Sequence, residues 1–153
     1  GRSFSVRHLC GEAFLPTAEA LAEQYAGHAS LAYRPEAYRE DLWTLLSAAD
    51  VVLCRAGGSS LSEIAVVGVP AILVPYPFAT DDHQARNAAS FAARGAAVVV
   101  PDHELSGTRL VCELTGLSDD PGRGETMRRQ ALRAGFPDAA ERLLSLARAA
   151  VHT

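Results

Sequence analysis

Two adjacent glycines and two serines, Gly57 to Ser60, separate a short apolar run from a segment with helical spacing. Adjacent glycines let the backbone turn sharply and approach a ligand closely, and the start of a helix offers unpaired N–H groups and a partial positive charge. These residues therefore predict a site for a diphosphate group. An ordinary tight turn between a strand and a helix, with Ser59 or Ser60 as the helix cap, is the alternative.

Two charged residues flank this loop, and each has two interpretations. Glu63 lies three residues after Ser60, which is the spacing of a capping box. A carboxylate near a phosphate-binding loop can instead accept hydrogen bonds from the two ribose hydroxyls. Arg55 precedes the loop, where it could pair with phosphate or act as a salt-bridged support for the strand end.

A second polar segment follows the apolar run at residues 71–74 and begins with Pro75. Two prolines hold this segment extended just beyond the carboxyl end of a strand, where open α/β sheets bind ligands. We expect it to face the same crevice as the glycine-containing loop. One histidine beside two adjacent acids lacks the separated ligands that zinc or magnesium requires, so no metal is predicted.

The end of this segment predicts a second set of ligand contacts. Thr80, Asp81 or Asp82 could cap the next helix, which leaves His83 and Gln84 on its first turn with side chains free to reach sugar hydroxyls. The alternative is that the aspartates only cap the helix and that His83 and Gln84 are solvated surface residues.

Short runs rich in Val, Ile and Leu alternate with longer segments of helical spacing, which is typical of parallel strands joined by crossover helices. The predicted fold is α/β, a Rossmann-like parallel sheet with helices on both faces. Strands are predicted at residues 4–9, 29–33, 51–54, 71–74 and 97–100. Helices are predicted at residues 17–25, 38–49, 60–67, 82–94, 105–114 and 137–151.

The clearest predicted linker covers residues 118–124, which are rich in Ser, Asp, Pro and Gly. We therefore expect residues 1–117 to form the ligand-binding core. Residues 118–153 would form a linker and a C-terminal helical tail of the same domain, with two or three helical turns before Gly135. Because Gly1 opens almost directly onto a strand, we expect that the chain begins inside a larger protein.

Composition excludes several classes of partner. The net charge of −4 and the pI of about 5.7 oppose binding to nucleic acid. No apolar run approaches the roughly 20 residues that a membrane helix needs. Cys10, Cys54 and Cys112 form no CxxC pair, so we expect reduced core thiols and a cytoplasmic protein.

Three segments together resemble the C-terminal half of the MurG-type glycosyltransferases: residues 49–63, residues 68–75, and Asp82-His83-Gln84 followed by Asn87-Ala88. The similarity runs from about Ser5 to Val151. It implies the C-terminal half of a GT-B fold in an inverting transferase of peptidoglycan synthesis. This family moves N-acetylglucosamine from its UDP donor to a lipid-linked muramoyl-pentapeptide, with no covalent intermediate and no cofactor or metal.

The resemblance also implies roles for individual residues. Gly58, Ser59 and Ser60 fall where the helix N-terminus of the family meets the diphosphate, and Glu63 falls where its acid holds the ribose. Gln84, with His83 beside it, falls where the family contacts the acetylated sugar. The backbone near Arg39 falls where uracil binds.

Two features of the family are absent from the sequence. One is the glycine-serine-glycine turn after the first strand, which contributes another donor contact. The other is the N-terminal domain, with its general base and membrane-facing patch. We therefore expect no turnover from these residues alone, and contact with the membrane lipid acceptor only through that domain. The full-length protein would be peripheral at the cytoplasmic face of the plasma membrane.

Two alternatives remain open. The chain could be a soluble UDP-sugar-binding subunit of a two-chain transferase, which co-purification with a second chain would favour. It could also belong to a UDP-sugar epimerase or hydrolase of the same fold, with Asp81, Asp82 and His83 as candidate acids and bases. Product analysis with UDP-N-acetylglucosamine would distinguish these activities, because fold analogy alone does not.

Overall fold

The computed structural model describes residues 3–151, which divide into two compact units between Leu42 and Trp43. The first unit is a parallel strand–helix–strand motif. Strand β1 (Phe4–Leu9) leads through a short 3-10 turn into helix α1 (Leu15–Gln24), and the chain returns as strand β2 (Leu31–Glu36). Phe4 is in register with Leu31, and Leu9 with Glu36. The predicted β1 is confirmed residue for residue.

Strand β2 begins two residues later than predicted because a turn precedes it. Gly27 adopts a positive φ of 82°, and the backbone N–H of Leu31 donates to the carbonyl of His28 at 3.3 Å. Residues held in such a turn cannot extend, so the ladder starts at Leu31. At its other end the strand continues beyond the predicted Tyr33 to Glu36.

The second unit contains a three-stranded parallel sheet in the order β3–β4–β5. Its strands are β3 (Val52–Cys54), β4 (Ala71–Leu73) and β5 (Ala97–Val99). Its helices are α2 (Leu42–Ala48, which starts at the last residue of the first unit), α3 (Gly58–Val67), α4 (His83–Ala93), α5 (Gly107–Asp119), α6 (Pro121–Ala134) and α7 (Ala139–Val151). The central strand β4 is fully buried, as expected for an apolar strand paired on both edges. The α/β class is therefore confirmed.

The core of this unit forms where helix α5 covers the sheet. Ile72, Val74 and Val100 are buried together, and the apolar side chains of α5 pack against them. Those side chains are Leu110, Leu114 and Leu117. Their spacing of four and three residues places them on one face of the helix. This face anchors the sheet from which the loops of the candidate site emerge.

Helices α3 and α6 pack closely because glycine lies at two points of contact. Gly68 ends α3 in the left-handed conformation, with its N–H donating to Ile64 at 2.8 Å. Gly135 ends α6, and a Cβ there would lie only 2.8 Å from the Ala65 carbonyl oxygen. Only glycine permits this approach without displacing the backbone of α3.

Two predicted segments are wrong. Helix α2 begins at Leu42 rather than at Tyr38, because the chain bends at Ala37, is irregular at the next two residues and turns at Glu40 and Asp41. The linker predicted at residues 118–124 is helical except for Asp120, whose carboxylate caps α6 by accepting the Arg123 N–H at 3.0 Å. Pro121 occupies the first turn, where proline is favoured, so residues interpreted as a loop are helix-start residues. Helix α6 accordingly has 14 residues instead of two or three turns.

Smaller differences concern element ends and exposure. Helix α5 continues five residues beyond the predicted Leu114, and the remaining ends lie within two residues of the prediction. Cys112 is exposed on α5, so the expectation that all three thiols lie in the core is wrong for this one. No helix within residues 3–151 is long and apolar enough to span a bilayer.

Candidate functional site

Two loops leave the sheet of the second unit at the carboxyl ends of adjacent parallel strands. The glycine loop, residues 55–60, joins β3 to α3 and includes the first three residues of that helix. The proline loop, residues 74–84, joins β4 to α4 and includes the first two residues of that helix. Asn87 of α4 donates from its side-chain amide to the Ala56 carbonyl at 3.2 Å, which ties the glycine loop to the helix that follows the proline loop. Both loops therefore lie at one edge of the sheet, and the expectation that they face the same crevice stays a prediction.

The glycine loop presents unbonded backbone amides. Gly57 is extended and precedes α3, whose first backbone hydrogen bond runs from Leu61 N–H to Gly57 O at 3.0 Å. Within the described part of the chain, the N–H groups of Gly58, Ser59 and Ser60 have no acceptor. A Cβ on Gly58 would have no contact within 4 Å outside its chain neighbours and its own helix backbone, so the side-chain face of this residue is open.

The predicted serine cap and capping box are both wrong for a common reason. Because α3 begins at Gly58, Ser59 and Ser60 lie inside its first turn, beyond the position from which a side chain caps. Glu63 therefore has no reciprocal partner in Ser60. Its carboxylate is exposed and makes no hydrogen bond or ion pair with any residue between 3 and 151. Glu63 shares a helix face with both serines, which lie three and four residues earlier.

Arg55 is engaged by the protein itself. Its Nη1 lies 2.5 Å from Asp102 Oδ1 and 3.3 Å from the carbonyl oxygens of both Val74 and Pro75. The guanidinium also lies 5.6 Å from the centre of the Tyr76 ring. These contacts match the interpretation of Arg55 as a salt-bridged support. Its pairing with phosphate stays a prediction.

The start of helix α4 is formed by the backbone rather than by a side-chain cap. Asp81 and Asp82 both have a φ of 52°, a left-handed conformation that aspartate tolerates better than most residues. No side chain caps this helix, so the predicted cap by Thr80, Asp81 or Asp82 is wrong. The Arg86 guanidinium donates instead to the carbonyl of Asp81.

His83 and Gln84 each use one polar atom internally and keep the other. His83 Nδ1 lies 2.7 Å from the Thr80 carbonyl, so Nδ1 carries the hydrogen and Nε2 is the acceptor in the neutral ring. Gln84 Oε1 accepts the Tyr76 N–H at 3.0 Å, which assigns the oxygen and leaves the side-chain NH₂ as a donor. The expectation that both side chains are free is therefore half right.

Arg39 belongs to the first unit, where its side chain forms a local ion-pair cluster. Its Nε and Nη2 donate to Glu36 Oε2 at 2.8 and 2.6 Å, and its Nη1 lies 3.4 Å from Asp41 Oδ1. The hydrogen bonds to Glu36 raise the pKa of the Arg39 guanidinium above its usual value. The side chain is thus used for local structure, and uracil binding by the nearby backbone stays a prediction.

Three residues that organise this edge of the sheet were not predicted from the sequence. They are Tyr76, Asn87 and Asp102. Asn87 lies three residues after Gln84, a helical spacing that places both side chains near the same loops, so it was detectable. Asp102 contacts a residue 47 positions away, and no local pattern signals that pair.

At the end of β3, burial raises the pKa of the Cys54 thiol to about 11, which keeps it protonated near neutral pH.

The fold and this edge define a parallel α/β domain whose polar loops and open helix start meet beyond the strand ends, where such domains bind ligands. The model of the glycosyltransferase family 28 C-terminal domain matches residues 1–143. The chain belongs to this family.

Known relatives agree with this assignment. The chain is 44% identical over 135 residues to the UDP-N-acetylglucosamine–N-acetylmuramyl-(pentapeptide) pyrophosphoryl-undecaprenol N-acetylglucosamine transferase of Alkalilimnicola ehrlichii, covering 88% of this chain and 37% of the relative. The enzyme of the same name from Lactococcus lactis is 34% identical over 145 residues, covering 95% and 40%. The chain thus spans about two fifths of the length of these relatives.

Solved structures give the same result. The crystal structure of Acinetobacter baumannii MurG superposes with a TM-score of 0.83 and 32% identity, covering 94% of this chain and 41% of that one. The glycosyltransferase VinC, at 24% identity and a TM-score of 0.60, shows the fold alone. The resemblance to MurG-type glycosyltransferases found in the sequence is therefore confirmed.

Proposed function

We propose that this chain binds the donor UDP-N-acetylglucosamine for an inverting glycosyltransferase that modifies a lipid-linked muramoyl-pentapeptide in peptidoglycan synthesis. The observation that carries the proposal is the set of unbonded amides at Gly58, Ser59 and Ser60, at the same sheet edge as Gln84. Membership of the family and the names of the relatives supply the identity of the donor.

The diphosphate would bind at the start of helix α3. Three backbone N–H groups and the positive end of the helix are suited to an anion, and the Ser59 and Ser60 hydroxyls can donate further hydrogen bonds. The helix dipole contributes only about 0.3 to 2 kcal/mol, so the amides must provide much of the binding energy. Glu63, on the same face one turn later, would accept hydrogen bonds from the ribose hydroxyls.

The acetylated sugar would bind at the start of helix α4. The Gln84 NH₂ group is available as a donor and His83 Nε2 as an acceptor, which together can recognise a hydroxyl or acetamido group. Uracil would bind the backbone near Arg39.

Sugar transfer itself would need groups outside these residues. We assign no catalytic base to this chain, and the acceptor-binding domain would bring both the base and the contact with the membrane lipid at the cytoplasmic face. Residues 1–153 alone are therefore expected to bind the donor without transferring its sugar. Release of free sugar or formation of an epimer by this chain from UDP-N-acetylglucosamine alone would contradict a transferase and favour a hydrolase or epimerase.

Calorimetric titration of the 153-residue chain with UDP tests the proposal. We expect weak binding that Glu63→Ala weakens about tenfold, because one hydrogen bond to a charged group contributes about 1.5 kcal/mol. Glu141→Ala on α7 is the matched control, since it removes the same charge from an exposed helical position. Equal affinities for Glu63→Ala and the wild type would remove Glu63 from the site, and absence of UDP binding would contradict the proposal.

A further inference from the structure

We propose that Arg55 is a positioning residue for the sugar half of the donor site, and that it acts through the Pro75–Tyr76 peptide to orient Gln84. The inference rests on the proposed function. It assigns to Arg55 a role in distinguishing a UDP-sugar from UDP, rather than a contact with the diphosphate.

Arg55 contacts the segments that follow neighbouring strands of the sheet. Arg55 follows β3, its two carbonyl acceptors lie at the end of β4, and Asp102 begins the turn after β5. One guanidinium therefore ties together the segments that follow all three strands of the sheet. Its Nη1 makes all three contacts, at 3.3, 3.3 and 2.5 Å.

Arg55 and Gln84 contact the same peptide unit from its two polar groups. The carbonyl of Pro75 accepts from Arg55, and the N–H of the same peptide unit, which belongs to Tyr76, donates to Gln84 Oε1 at 3.0 Å. Because a peptide unit is planar, fixing the direction of its C=O also fixes the direction of its N–H. The Tyr76 ring beneath the guanidinium holds the same unit from its side chain.

The Pro75–Tyr76 peptide fixes the orientation of the Gln84 side-chain amide. Its N–H occupies the amide oxygen, so the Gln84 NH₂ group has to point away as the donor. Without Arg55 the peptide can rotate, and the carboxamide loses its preferred orientation. The amides of Gly58 to Ser60 belong to helix α3 and keep their directions. Loss of Arg55 should therefore weaken sugar recognition selectively.

Titration of the 153-residue chain with UDP and with UDP-N-acetylglucosamine measures this selectivity. We expect Arg55→Met to raise the Kd for UDP-N-acetylglucosamine about fivefold while the Kd for UDP changes by less than about twofold, as for loss of an exposed ion pair. Asp102→Asn should change each of the two Kd values in the same direction as Arg55→Met does, by a smaller factor. Arg55→Lys should restore part of the selectivity, because its ammonium can reach one of the acceptors.

Arg129→Met is the matched control, since it removes a surface arginine that pairs with Glu125 on α6, and it should leave both affinities unchanged. Hydrogen exchange of the Tyr76 amide gives a readout that needs no ligand. It should become several-fold faster in Arg55→Met than in the wild type, relative to amides in β4.

The outcomes separate the two proposals. Equal loss of affinity for both ligands would make Arg55 a phosphate contact and overturn the inference, as would unchanged Tyr76 exchange. A wild-type chain that binds neither ligand would contradict the proposed function. Faster Tyr76 exchange in Arg55→Met would then still support the positioning role of Arg55.

Discussion

The two loops of the candidate site offer binding groups in opposite ways. Within residues 3–151, three backbone amides of the glycine loop have no internal partner, and neither does the Glu63 carboxylate one turn further along α3. The proline loop is held by Arg55, Gln84 and His83 through hydrogen bonds of 2.7 to 3.3 Å. The glycine loop thus presents backbone N–H groups that are open because every helix start leaves its first N–H groups unbonded. The proline loop presents the Gln84 NH₂ group and His83 Nε2, the polar atoms that its internal hydrogen bonds do not use. Its ligand specificity therefore depends on those hydrogen bonds.

The largest expected effect comes from a charge placed on the glycine loop. Ser59→Asp should weaken UDP binding on the order of a hundredfold, because a carboxylate among the open amides repels the diphosphate. The same change should leave the thermal midpoint unchanged or raise it slightly, since an acid in the first turn favours the helix.

Calorimetry and a thermal melt of the same variant check this separation of binding from stability. Ser145→Asp on the exposed surface of α7 is the control for added charge. If Ser59→Asp bound UDP as the wild type does, the amides of α3 would not be the diphosphate site.

A smaller and selective effect is expected from the proline loop. Gln84→Glu keeps an oxygen that accepts the Tyr76 N–H but removes the NH₂ donor. The Kd for UDP-N-acetylglucosamine should rise about tenfold. The Kd for UDP should stay nearly constant, which parallel titrations would measure. A comparable loss of affinity for both ligands would mean that the glycine loop does not bind the diphosphate, and the proline loop the sugar, as separate parts of the donor.

The smallest effect should come from the hydrogen bond between helix α4 and the glycine loop. Asn87→Ala removes the hydrogen bond to the Ala56 carbonyl and should lower the free energy of unfolding by about 1 kcal/mol. Urea denaturation measures this change, with the nearby exposed Ser90→Ala as control. An Asn87→Ala chain as stable as the wild type would show that the loops keep their places without this contact.

The same contrast explains how much was predictable from sequence. Buried strands such as β4 and the helix start after Gly58 follow from local composition and backbone geometry, and they were predicted to within two residues. The end of α5 and the start of α6 were missed because Asp120 and Pro121 signal a loop and a helix start equally well. Whether these residues form a loop or a helix start depends on tertiary packing, which cannot be read from a single sequence.

In the site as well, features set by local backbone geometry were predictable from the sequence, and contacts between distant residues were not. The open amides at Gly58 were expected from the sequence alone, because they follow from where a helix begins. The prediction of a serine cap was wrong because helix α3 starts at Gly58, two residues earlier than predicted. Gly57 occupies the N-cap position, and no side chain caps this helix. The bond between Arg55 and Asp102 joins residues far apart in sequence and needs the order of strands β3, β4 and β5 to be known.

The central claim is that one donor contacts the start of α3 and the start of α4 together. An NMR titration of the 153-residue chain with UDP and then with UDP-N-acetylglucosamine tests it most directly. We expect both ligands to shift the backbone amides of Gly58, Ser59 and Ser60, and only the sugar nucleotide to shift the Gln84 side-chain NH₂. Shifts confined to other parts of the chain, or a Gln84 response identical for both ligands, would contradict the account.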